Sequence, residues 1–79
     1  MTIQYLYGDV ETVATPKDAL DSLLEFASVG SKLYCLHLRC PRGSDWKMRI
    51  IETRQNKQTV TIFTITGTEA ELQEVRGLL

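Results

Sequence analysis

The sequence predicts a two-layer α+β sandwich of order β(β)αβββα. An antiparallel meander, joined by an N-terminal strand or hairpin, is covered on one face by two helices. Three observations predict it. Two amphipathic segments each open on a helix-capping signal. Three β-rich segments, separated by short polar turns, lie between them. All of this fits in 79 residues with no repeat, linker or low-complexity tract, so residues 1–79 read as one domain. With 43% apolar and 24% charged residues and a net charge of −1, the composition is that of a globular chain rather than a disordered one.

The elements follow in order. Thr2–Tyr7 is rich in β-formers and places Ile3, Tyr5 and Tyr7 on one face. Gly8-Asp9 then suits a tight two-residue hairpin turn, because glycine supplies the positive φ such a turn needs. The arm that follows, Val10–Val13, is either a short strand or an extended approach to the first helix. That helix starts at Thr15-Pro16-Lys17-Asp18. Threonine caps free N–H groups, proline loses no bond at the first helical position, and Asp18 answers the helix dipole. Leu20, Leu23, Leu24 and Ala27 make an apolar stripe, widened by Ala19 and Phe26, with Gly30 as the stop. Asp18, Asp21 and Glu25 occupy the opposite face.

Three strands come next: Lys32–Cys40, Trp46–Arg54 and Gln58–Thr66. Their connections are Pro41-Arg42-Gly43-Ser44 and Gln55-Asn56-Lys57. A side-chain period of two assigns Tyr34, Leu36, Leu38 and Cys40 to the core, together with Trp46, Met48, Ile50, Val60 and Ile62. Trp46 shares the parity of Met48 and Ile50, so it reads as core rather than as an exposed anchor. Thr68-Glu69-Ala70-Glu71 is a capping box, and Leu72, Val75 and Leu79 form the stripe of the last helix.

The opposite face of the meander holds the functional expectation. Alternation places Leu33, Cys35, His37 and Arg39 there, followed by Lys47, Arg49, Ile51 and Thr53, then Thr59, Thr61, Phe63 and Ile65. The face is basic at one end and apolar at the other. Charge is segregated along the whole chain. Residues 1–31 hold one base and five acids, residues 32–57 seven bases and two acids, and residues 58–79 one base and three acids. The expected partner-binding residues are therefore Arg39, Arg42, Lys47, Arg49, His37 and Phe63. The expected function is that of a small non-enzymatic adaptor or inhibitor-like module that binds another protein, one with an acidic surface, through a charged sheet or helix face. A dimer formed through this same face is a further option. The alternative is a nucleic-acid binder using the basic meander, disfavoured by a pI of about 5.7 and by few aromatics among the bases.

Other chemistries are excluded on pattern. Cys35, His37 and Cys40 read as Cys-x-His-x-x-Cys, but structural zinc wants four ligands and the chain has no other His or Cys. A disulfide is excluded as well, since five residues on a strand span roughly 16 Å. Cys35 and His37 stand about 6.6 Å apart on a strand, too far for thiol activation. No phosphate-binding glycine loop or catalytic triad is visible, so no enzyme and no cofactor are expected. There is no run of 18 apolar residues and no secretion signal at Met1–Tyr5, so the expected location is the cytoplasm without membrane contact.

From Thr15 to Leu79 the order helix, three strands, helix resembles that of double-stranded-RNA-binding domains. The resemblance implies lysines at the start of the last helix, meeting phosphates. Here those positions are Thr68, Glu69, Ala70 and Glu71, and acids there repel a duplex.

Overall fold

A computed structural model describes residues 1–27, 30–39, 45–54 and 59–79. Seven elements follow in the expected order: β1 (Thr2–Tyr5), β2 (Val10–Thr12), α1 (Pro16–Phe26), β3 (Ser31–Arg39), β4 (Trp46–Arg54), β5 (Thr61–Gly67) and α2 (Glu69–Leu78). The five strands form one antiparallel sheet in the order β2-β1-β5-β4-β3. The N-terminal hairpin thus extends the meander beyond β5.

Each local signal has a visible outcome. β1 and β2 form a hairpin whose loop is three residues, Leu6-Tyr7-Gly8, rather than two. The Gly8 N–H donates to the Tyr5 carbonyl at 3.0 Å and the Tyr5 N–H to the Asp9 carbonyl at 2.9 Å, while Gly8 takes a φ of +93°. That is the pattern of a three-residue loop closed by a glycine bulge. It leaves Tyr7 at the tip, 89% exposed, instead of on the face of Ile3 and Tyr5. Thr15 Oγ1 caps α1 by accepting from the Asp18 N–H at 3.2 Å. The helix ends at Phe26, before Gly30, whose φ of +82° then directs the chain into β3. At α2 the capping box closes in both directions, Glu71 N–H to Thr68 Oγ1 at 3.3 Å and Thr68 N–H to Glu71 Oε1 at 3.0 Å. Donation from the Thr68 backbone, then from its side chain, holds the Glu71 carboxyl below its usual pKa.

Both helices lie on one face of the sheet. Ala19 and Leu23 of α1 and Leu72 and Val75 of α2 meet Ile3, Met48, Ile50, Phe63 and Ile65 in a single core. Met48 and Ile50 are buried as expected, and Trp46 packs against the core from the end of β4, half-buried.

Two strands turn the other way from the alternation reading. In β5 the core takes Phe63 and Ile65, while Val60 is exposed and Ile62 lies on the outer face. The reason is register: Phe63 sits opposite Tyr5 and Ile50, and Ile65 opposite Ile3 and Met48, so this parity completes apolar rows begun on both neighbours. In β3 the core side takes Leu33, Cys35 and then Leu38, because the register shifts between Cys35 and His37. Leu36 is the extra residue of that bulge and is 56% exposed, and Tyr34 points outward. The bulge also separates Cys35, on the core side, from His37, on the outer side, although strict alternation would place them together. Arg42, Cys40 and the two turns within 40–44 and 55–58 lie outside the described residues, as does Gln58.

Candidate functional site

Helices cover one side of the sheet, and among the described residues no element packs on the other. The register arranges that outer face into three rows across the strands. The first is Tyr34, Ile51 and Ile62. The second is His37, Arg49, Thr64, Gln4 and Val10, and the third is Arg39, Lys47, Thr66, Thr2 and Thr12. One row is therefore apolar. The other two begin with His37, Arg39, Lys47 and Arg49 on β3 and β4 and continue as threonine hydroxyls and the Gln4 amide, the second row ending at Val10.

His37, Arg39, Lys47 and Arg49 thus come together at one corner, as alternation predicts. They are held there by cross-strand pairing, His37 opposite Arg49 and Arg39 opposite Lys47. All four are exposed, and together with Leu36 and Thr64 they line a concavity of about 410 Å³. Like charges directly opposite on an antiparallel pair are destabilising. Arg39 and Lys47 are such a pair, and none of the four residues is ion-paired among the described residues, so no ion pair there offsets the repulsion. A second groove of about 240 Å³ adjoins this one through Arg49 and Thr64 and runs past Gln4 and Ile62 to Leu6.

Phe63 is not part of this surface. It is 1% exposed in the core, edge-on to the Tyr5 ring at 5.6 Å, because the β1–β5 pairing turns it inward. That leaves Tyr34 as the aromatic side chain of the outer face among the described residues.

A second concavity, which the sequence reading missed, lies at the far end of the strands on the helix side. It measures about 210 Å³, and its lining includes the rings of Tyr5, Tyr7, Phe26 and Phe63 and the carboxylates of Asp9 and Glu52. Tyr5 stacks at a tilt on Phe26, with centroids 4.7 Å apart. The Tyr5 hydroxyl donates to Glu11 Oε2 at 2.7 Å, and the Ser22 hydroxyl donates to Glu11 Oε1 at 3.0 Å. Burial, then this bond to Glu11, then the charges of Glu11, Glu25 and Asp9 push the Tyr5 phenol well above the usual tyrosine pKa. The signal for this site was present as an aromatic-rich, acid-rich N-terminal third. What gathers it is the long-range pairing of β1 with β5.

No helix of the described residues is long and apolar enough to cross a membrane. No protein-family model matches the chain, and no curated protein or solved structure matches it.

Proposed function

We propose that the chain is a small non-enzymatic interaction module that binds an acidic segment of another protein across the outer face of its sheet. The observation that carries this reading is the cationic corner, where Arg39 and Lys47 face each other across β3 and β4 beside Arg49 and His37, with no ion pair among the described residues to offset the repulsion. An acidic ligand would turn that local cost into binding energy. The adjacent row Tyr34–Ile51–Ile62 supplies apolar contact beside the charge, the combination of a protein interface rather than of a bare anion site. A nucleic acid would use the same corner, but sequence-tolerant strand binding relies on several stacked aromatic rings, and here Phe63 is in the core.

The test is fluorescence anisotropy with a labelled glutamate-rich peptide carrying interspersed leucines, set against a single-stranded oligonucleotide of matched charge, at low and moderate salt. The peptide should bind with the weaker salt dependence. Arg49→Glu should abolish peptide binding while thermal unfolding stays within a few degrees of the parent. Tighter binding of the oligonucleotide, with a steep salt slope, would instead assign the corner to nucleic acid. Unchanged peptide binding in Arg49→Glu would remove the corner from the interface.

A further inference from the structure

The aromatic concavity differs from the cationic corner in shape, sign and position. Its floor is Phe63, fixed in the core, with Tyr5 seated on it edge-on. Its rim is exposed aromatic surface: Phe26 is 60% and Tyr7 89% accessible. Exposed rings clustered round a hollow are unusual on a monomer's surface and mark a contact site. At about 210 Å³ the hollow falls below the roughly 300–1,000 Å³ of pockets for drug-sized ligands. It has room for one side chain and not for a nucleotide cofactor.

The surrounding charge gives the sign of that side chain. Asp9 and the buried Glu52 line the hollow. Glu11 accepts one hydrogen bond from the Tyr5 hydroxyl and one from the Ser22 hydroxyl, and Glu25 immediately precedes Phe26 in α1. No lysine or arginine lines it among the described residues. Ring faces attract cations through their quadrupole, and guanidinium does so while offering planar N–H groups to nearby carboxylates. An anion would meet both the rings and the acids with the wrong sign.

We propose that this hollow receives a single arginine side chain from a partner protein, its guanidinium against Tyr5, Tyr7 and Phe26 and within reach of Asp9. The site stands apart from the cationic corner and does not depend on it.

The experiment is an NMR titration of the full chain, following the ring protons of Tyr5, Tyr7 and Phe26. N-acetyl-arginine amide is compared with its neutral isostere, N-acetyl-citrulline amide. Arginine should give saturable millimolar binding, with citrulline about tenfold weaker. Tyr7→Ser in the hairpin loop and Asp9→Asn just after it, both outside the core, should each weaken the arginine compound several-fold with amide dispersion intact. A five-residue peptide with a central arginine should bind more tightly than the capped amino acid. Equal response to arginine and citrulline, no saturable shift, or indifference to both loop variants would overturn the site. Equal affinity of peptide and capped residue would overturn the protein as its source. Ring shifts that grow with the chain's own concentration, and vanish in Arg39→Gln with Arg49→Gln, would make the occupant a second copy and overturn the partner.

Discussion

The cationic corner and the aromatic hollow hold their charges in opposite ways. In the corner, backbone pairing fixes like charges across from one another, and among the described residues no side chain answers them. Behind the hollow's Tyr5, the Glu11 carboxylate is held by the hydroxyls of Tyr5 and Ser22, and Tyr5 in turn leans on the buried Phe63. One region is electrostatically strained and loosely coupled to the core, and the other is satisfied and continuous with it. Removing charge from the corner should therefore cost affinity and gain stability, whereas pruning the hollow should cost stability whether or not a ligand is present.

The largest effect that can break this comparison is Phe63→Ala. Phe63 is a fully buried ring, and its loss should destabilise by about 3–5 kcal/mol, which denaturant titration reads directly. A cost near zero would mean that the hollow is not anchored in the core. Phe63→Leu, a smaller change in volume, keeps the measurement possible if alanine prevents folding.

Tyr5→Phe comes next. It deletes the hydrogen bond to Glu11 and should cost about 1.5 kcal/mol at neutral pH. Its pH signature is more specific. The phenol pKa is raised in the folded state, so the native protein retains this proton where the unfolded chain has lost it. The stabilisation is complete below the ordinary tyrosine pKa of about 10 and declines as pH rises above it. Unfolding free energy followed from pH 8 into the alkaline range should fall more for the parent than for Tyr5→Phe. Parallel curves would show that the phenol does not carry the linkage.

The smallest effect sharpens the other side. Lys47→Glu places an acid opposite Arg39 and should raise stability by about 0.2–1 kcal/mol, a modest increase in Tm. A loss of stability in this variant would mean that the corner is not under repulsive strain.

The same contrast explains what was legible in the sequence. Caps are local, and Thr15 with Asp18 and Thr68 with Glu71 fell where their spacing placed them. So did the glycine of the first hairpin, one residue out in loop length. The parity of β4 was readable because its apolar residues Trp46, Met48 and Ile50 contrast with Lys47 and Arg49 between them. The early parts of β3 and β5 lack that contrast: Leu33 and Cys35 compete with Tyr34 and Leu36, and Phe63 and Ile65 compete with Val60 and Ile62. Tertiary register decided both. Within β5 the run Phe63-Thr64-Ile65-Thr66 already pointed the right way, since the threonines are the more tolerant of water. The corner survived the error in β3 because the bulge at Leu36 restores the parity of His37 and Arg39. Phe63 did not survive the error in β5, and the hollow that it floors was hidden with it.

Strand β5 lies between β1 and β4, so the middle of the sheet is made after the four strands that flank it. Until residues 61–67 emerge, the β1–β2 hairpin and the β3–β4 hairpin have no strand joining them, and the core lacks Phe63 and Ile65. Sequence-distant contacts of this kind raise contact order and slow folding relative to a helical bundle of similar length. Before β5 is in place, β1 and β4 each present an unpaired edge, and unpaired edges are where strand swapping between neighbouring chains competes with closure.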